Sequence, residues 1–330
     1  MPRKRSGPVG VWIILASAIT SAVWAVDQPL PSWADTPTRT AIIDFVSRVT
    51  RDGSPDFVPF RERIATFDND GTLWAEKPMP VELSFTLQRV KELAPQHPEW
   101  QTKQPFAGVL KGDLSAAMTA GEQGIAELVT VTHTGMTTEE FSRDVETWIA
   151  SAKNPKTGKL NTGMVYQPML ELIDYLRAHG FKVFIVSGGG VEFMRPWTEK
   201  VYGIPPEQVI GSSSKLRLET RDGKPVLAKL PTADLIDDKA GKPVGIQERI
   251  GRRPIAAFGN SDGDLQMLQW TMAGPGPRFA LLVHHDDPKR EFGYDRRDKL
   301  AKLDKAWDEA LARGWTVVSM KRDWKRVFPE

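Results

Sequence analysis

The 330-residue chain is 40% hydrophobic and 26% charged, enough apolar material for one large domain or a domain carrying an insert. Its 44 basic and 42 acidic residues give a formal net charge of +2 without a basic face, which argues against a nucleic-acid binder. Cysteine is absent, which excludes disulfides, a thiol nucleophile and a lipidated cysteine.

Arg3, Lys4 and Arg5 open the chain, and an apolar stretch, VGVWIILASAITSAVWA, follows at residues 9–25. Val23 and Ala25 stand at the positions that precede a signal-peptidase cut, so residues 1–25 read as a signal peptide and the mature chain begins near Val26. No acid precedes residue 26, so cleavage removes three basic residues and leaves 41 against 42, a charge of about −1. The expectation is an exported, periplasmic protein with no stable membrane association after cleavage. An uncleaved anchor is the alternative, because residues 9–25 are barely long enough to span a bilayer.

Residues 36–49, TPTRTAIIDFVSRV, place Ile42, Ile43, Phe45, Val46 and Val49 at helical spacing, with Thr36 and Pro37 as a start. RIATF at 63–67 reads as a short buried strand that delivers its end to Asp68. From 80 to 152 the signals are helical (VELSFTLQRVKELA, IAELVTVTHTG, TEEFSRDVETWIASA), broken early by Pro95, Pro98 and Pro105. Alternation then returns. MLELIDYLRAHG is an amphipathic helix closed by Gly180, and KVFIVSGGG is a buried strand ending in glycines. VEFMRPWTEKVYG and GKPVGIQERIG are two more helices, PIAAFGNSDGD is a strand entering a polar loop, and FALLVHHDD is a further strand. Residues 295–315 read as one charged helix with an apolar stripe of Leu300, Leu303, Trp307 and Leu311. Strands alternating with helices predict an α/β fold, a doubly wound, Rossmann-like parallel sheet with helices on both faces. Its core spans residues 26–74 and 166–330, and the helical block at 75–165 reads as an inserted cap.

In such sheets, ligands sit outside the carboxyl ends of the strands. Three predicted strands end in chemically loaded residues: Asp68-Asn69-Asp70, Ser187-Gly188, and Asn260 through Asp264. If the strands are neighbours, these ends converge. Asp68 and Asp70 repel one another, and a hard divalent cation such as Mg²⁺ neutralises such a pair while accepting oxygen ligands, water and a substrate phosphate. The glycines and Ser187 suggest an anion beside that cation.

DNDGTLW, VFIVSGG and GNSDGDLQML, in that order, resemble the first, second and acidic fourth motifs of the haloacid-dehalogenase-like (HAD) phosphohydrolases, in the form of their phosphoserine-phosphatase-like branch. The likeness covers residues 61–285 and implies roles position by position. Asp68 is the nucleophile that forms an aspartyl-phosphate, and Asp70 is the general acid and then base. Mg²⁺ is held by Asp68, Asn260, the Asp70 backbone carbonyl, and Asp264 directly or through water. Thr72, Ser187, Gly188 and a lysine hold the phosphoryl oxygens, and Gly71 and Gly188 leave room for backbone N–H groups to approach. Lys242, 17 residues before Gly259, resembles the third-motif lysine, with Lys239 and Lys215 as competitors. Asparagine at 260 departs from the branch, where aspartate is usual, and implies weaker metal binding. Glu76 follows the first motif, where it suits contact with the substrate, such as a leaving-group amine; Trp74 is read chiefly as packing.

A calcium loop is excluded by glycine at the fourth position of DNDG and NSDG, where the EF-hand needs it sixth, and GGG at 188–190 lacks the Lys-Ser/Thr of a phosphate-binding P-loop. Ser187 has a second use as a helix cap. His284 and His285 are adjacent on a strand and point to opposite faces, which suits a structural or cleft-edge role better than a shared metal. The expected activity is Mg²⁺-dependent hydrolysis of small phosphorylated metabolites. Alternatives are transfer to another acceptor, carbon–halogen hydrolysis (against which Asp70 weighs), or an exported phosphate-ester binding protein without efficient turnover. The oligomeric state is left open.

Overall fold

The computed structural model describes residues 29–330 apart from Met118 and Ala120. The expected signal peptide lies outside the described residues. Among the described residues, no helix is long and apolar enough to cross a membrane.

Helix α1 (Pro37–Thr50) starts with proline in its first turn and turns Ile42, Phe45, Val46 and Val49 inward. Strand β1 (Ile64–Phe67) is buried at all four positions, as a central parallel strand covered on both faces must be. The chain then leaves the sheet for α2 (Val81–Leu93), α3 (Phe106–Leu110), α4 (Leu114–Ala117), α5 (Gly121–His133) and α6 (Thr138–Ile149). A small apolar cluster of Val90, Trp100, Phe106, Val109 and Leu128 holds the outer part of this block. Helix α6 opens on a capping box in which Thr137 and Glu140 satisfy each other's backbone N–H groups.

Helix α7 (Gln167–Ala178) returns the chain to β2 (Lys182–Gly190), and α8 (Val191–Tyr202) leads to β3 (Val209–Arg221) and β4 (Lys224–Leu235). Next come α9 (Gly241–Ile250), β5 (Ala256–Gly259), α10 (Leu265–Met272), β6 (Phe279–Asp286) and β7 (Gly293–Tyr294). The chain closes with α11 (Lys305–Arg313), β8 (Thr316–Ser319) and α12 (Met320–Asp323). The strand order is β4-β3-β2-β1-β5-β6-β7, with β8 also pairing β6. Pairs among β3, β2, β1, β5, β6 and β8 are parallel; β4 and β7 add antiparallel edges. One large core lies on the face of α1, α7 and α8, and a second on the face of α9, α10 and α11. This is the expected doubly wound α/β fold.

Register fixes where the loops emerge. Phe67 is paired with Ile185 on β2 and with Phe258 on β5, so the residues that follow each of them leave the sheet at one level. The Phe67 and Phe258 rings stack at 4.1 Å between centroids, and Asp68 N–H donates to Phe258 O at 2.9 Å.

Two expectations need correction. The β3–β4 hairpin was not anticipated, although its turn carries a hairpin signal: Asp222 and Gly223 have φ of 50° and 74°, as a two-residue primed turn requires. Its strands are exposed and polar over much of their length, so they lack the apolar run that marks a buried strand. The hairpin also supports the helical block, since Gly135 N–H donates to Lys229 O and Lys229 N–H to Met136 O. The single helix predicted over 295–315 begins only at Lys305. Asp298 Oδ1 accepts from Leu300 and Ala301 N–H in a local turn, and Asp262 Oδ1 accepts from Asp304 and Ala306 N–H.

Replacing Phe67 by alanine leaves a cavity at the stacked pair, and the expected loss is about 3–5 kcal/mol, read as a lower midpoint in urea denaturation.

Candidate active site

The three strand ends converge. Lys242, in the first turn of α9, is 2% exposed and donates from Nζ to Asp68 Oδ1 at 2.6 Å, Asp264 Oδ1 at 2.6 Å and Val186 O at 2.9 Å. These three bonds use every proton of the ammonium. One lysine thereby ties the ends of β1, β2 and β5 together. Of the three candidates it is Lys242 that stands in the cluster; Lys215 and Lys239 are exposed. Burial works against its charge, but Asp264 and Asp68 outweigh burial and hold the ammonium well above the ordinary lysine range.

Asp68 is the mirror case. Burial, then Asp264, raises its carboxyl well above the usual range, while Lys242 pulls it down. Its other oxygen faces Thr72 Oγ1 at 3.4 Å, and the same hydroxyl donates to Asn260 Oδ1 at 3.2 Å. Asp264 Oδ2 accepts from the backbone N–H groups of Asn260 and Ser261, at 2.9 and 3.1 Å, which pins the loop after β5.

Asp70 has one oxygen tied and one directed. Oδ1 accepts from Trp74 Nε1 at 3.0 Å, and Trp74 is itself stacked on Trp197 and 1% exposed, so it braces the carboxyl from within the core. A methyl group on Gly189 would lie 3.6 Å from Asp70 Oδ2, 3.4 Å from Ser187 Oγ and 3.1 Å from Glu82 Oε2. These three oxygens therefore ring one point above the glycine loop. Burial, then Glu76 and Glu82, push the Asp70 carboxyl up to about 7 against the pull of Trp74. Such a group exchanges a proton near neutrality.

Ser187 accepts from Gly189 N–H at 3.1 Å and closes a tight turn; α8 is capped from outside, by Glu82 of α2, whose Oε2 accepts from Gly190 N–H at 2.7 Å. Glu82 also lies 3.4 Å from His133 Nε2 of α5. The only prior sign of Glu82 was an acid in a helix's first turn, a position usually explained by the helix dipole.

Glu76 stands elsewhere than expected. It is buried behind Asn260, with Oε1 accepting from Asn260 Nδ2 at 2.7 Å and from Tyr294 OH at 2.8 Å. The space at Gly71 serves the same contact: an added Cβ would fall 2.0 Å from Asn260 Nδ2 and 2.1 Å from Glu76 Oε1, at a φ of +74°. His285 points inward, with Nε2 donating to Gly71 O at 2.7 Å and Nδ1 beside Glu291 Oε2 at 3.2 Å, whereas His284 packs on Trp307. The two histidines do diverge, as the strand pleat requires.

Residues 65–269 match the family of haloacid dehalogenase-like hydrolases (HAD). The chain belongs to this family. A conserved functionally unknown protein from Anaerococcus prevotii DSM 20548 shares the hydrolase fold with a TM-score of 0.54 at 17% identity, over 85% of this chain and 91% of that one. A protein with unknown function from Bordetella pertussis Tohama I is also similar, with a TM-score of 0.48 at 15% identity, over 78% and 99% of the two chains. So is a phosphoserine phosphohydrolase-like protein from Francisella tularensis subsp. tularensis SCHU S4, with a TM-score of 0.40 at 14% identity, over 79% and 95%. Only the first is near enough to bear on the fold. No curated protein matches the chain.

Two residues beyond β4, Asp237 is fully buried, and neither carboxylate oxygen has a hydrogen-bond partner. Burial pushes its carboxyl up to about 7 against the pull of Lys242. A folded-state value above the unfolded one means that stability is greatest at low pH and is lost as pH rises towards about 7. Asp237→Asn is therefore expected to stabilise the hydrolase by on the order of 2–4 kcal/mol at pH 8, with the gain shrinking as pH falls from 7 towards 4 in denaturation curves.

Proposed function

We propose that this hydrolase is a Mg²⁺-dependent phosphomonoesterase that acts on small phosphate esters through an aspartyl-phosphate. The observation that carries the reading is the placement of Asp68 at the end of β1, with one oxygen on Lys242 and the other beside Thr72, two residues before Asp70, whose second oxygen converges with those of Ser187 and Glu82.

The donor set fits Mg²⁺. Asp68, Asp264 and the Asn260 amide offer hard oxygens, and burial raises the Asp68 and Asp70 carboxyls, a cost that a nearby cation would offset. Among the described residues, no three His, Cys, Asp or Glu side chains are close enough to hold a metal by themselves. The amide, the Asp70 carbonyl, water and substrate would complete the shell, a sparse arrangement that Mg²⁺ accepts. When bound, the ion supplies charge neutralisation for the phosphoryl oxygens.

The rest is the work of the chain. Asp68 presents an oxygen to phosphorus, and the P–O bond to the leaving alkoxide breaks as the bond to aspartate forms. Asp70, protonated near neutrality, gives its proton to the leaving oxygen and then takes one from the water that hydrolyses the acyl phosphate. Lys242 and Ser187 flank the phosphoryl oxygens and offset their charge.

Asp68 is 6% exposed and Ser187 1%, and Glu82 of the helical block bonds to Gly190 beside them, so entry of an ester is expected to require that block to lift. We read that block, residues 75–165, as a cap that closes over the cleft, and this favours small substrates over polymers. Residues 1–25 support export, which would make scavenging of phosphate from small esters outside the cytoplasm the natural task.

The purified protein is expected to hydrolyse p-nitrophenyl phosphate with Mg²⁺ and to stop when EDTA is added. Asp68→Asn should lower kcat on the order of a thousandfold or more, with an unchanged circular dichroism spectrum. Full activity in that variant would assign the nucleophile elsewhere.

A further inference from the structure

Asn260 offers a carboxylate one end of its amide. Nδ2 donates to Glu76 Oε1 at 2.7 Å, and Oδ1 accepts from Thr72 Oγ1 at 3.2 Å. Asn260 is 1% exposed, Thr72 0% and Glu76 6%. The two ends of a side-chain amide have nearly the same shape, but to a cation they differ in sign: the carbonyl oxygen attracts it and the NH₂ repels it. A carboxylate that accepts at one end therefore decides which end faces Thr72 and Asp68.

Glu76 is itself fixed. Tyr294 OH donates to the same oxygen at 2.8 Å, and the missing side chain of Gly71 is what lets Glu76 and Asn260 meet there. With two donors on Oε1, Glu76 serves as an acceptor, and a hydrogen bond to an ionised acceptor is about twice as strong as a neutral one. It also draws electron density through the amide towards Oδ1.

We propose that Glu76 is a positioning residue that turns the Asn260 carbonyl oxygen towards a divalent cation and polarises it, so that the pair behaves as one ligand with its negative charge set back by a side chain. The inference rests on the metal-dependent reading above and adds to it an account of how a neutral ligand serves there. It has an unusual corollary. A carboxylate at position 260 would stand beside Glu76 at the distance now bridged by a hydrogen bond, and two like charges that close repel strongly. Asparagine-to-aspartate, which adds charge next to the metal, should weaken binding unless Glu76 is neutralised as well.

The test is a titration with Mn²⁺, free ion being followed by electron paramagnetic resonance, on four proteins: wild type, Glu76→Gln, Asn260→Asp and the double variant. Circular dichroism in EDTA checks the fold of each. Glu76→Gln keeps the shape of the site and removes the charge. It is expected to bind about 10- to 100-fold more weakly, and Asn260→Asp is expected to bind more weakly than wild type too. The double variant, with one charge moved from position 76 to 260, should recover to within about threefold of wild type. A role confined to packing would not produce that rescue. Wild-type affinity in Glu76→Gln, or a double variant no tighter than Asn260→Asp, overturns the inference. If Glu76→Gln fails to fold, the comparison of Asn260→Asp with the double variant decides alone, tighter binding in the double supporting the inference and equal or weaker binding overturning it. Binding by wild type with unmoved variants overturns this inference only; a wild type that binds no Mn²⁺ overturns the metal-dependent reading with it.

Discussion

Lys242 is a charged group taken almost wholly out of water, and such burial is tolerated only when every proton of the ammonium finds an acceptor. Asp68, Asp264 and Val186 provide the three acceptors, one from each of three strand ends. Removing Asp68 or Asp264 would leave the buried ammonium with one counter-ion fewer, and breaking a buried ion pair costs about 3–5 kcal/mol. The parallel register of β2, β1 and β5 brings these groups to one level, and the ion cluster in turn holds the loops at that register. Sheet and site are thus two descriptions of one constraint.

The cluster is nonetheless short of positive charge. Lys242 pairs with Asp68 and Asp264, while Asp70 lies in the field of Glu76 and Glu82. Burial raises the Asp68, Asp70 and Glu76 carboxyls, the direction expected where anions outnumber cations in a dry pocket. A divalent ion would bring the positive charge from one to three against Asp68, Asp70, Asp264 and Glu76, and protonation of Asp70 near neutrality would close the remaining gap. The electrostatics of the protein and the chemistry proposed for it point the same way.

Much of this was legible from the chain. The central strands are apolar and end in polar loops, and glycines close α8 and α9, so the α/β rhythm and the three loaded strand ends could be read directly. Lys242 was the foremost of three lysine candidates, through its resemblance to a third-motif lysine at a helix start. What escaped was nonlocal. Glu76 looks like a residue entering the cleft, yet it turns back to Asn260, 184 positions away, because Tyr294 and the gap at Gly71 wait for it there. The polar β3–β4 hairpin and the non-helical run before Lys305 depend on Asp222-Gly223, Asp262 and Asp298, whose short side chains or backbone angles outweigh periodicity.

The bond from Gly190 N–H to Glu82 joins the helical block to the end of β2. While it is made, the amide at the start of α8 is satisfied from inside the protein. Were the helical block to lift, the bond would break and a solvent molecule would have to take the vacated acceptor's place on that N–H. Opening and wetting are then a single event. If the helical block opens as proposed, admission of substrate and admission of water are coupled through this one bond.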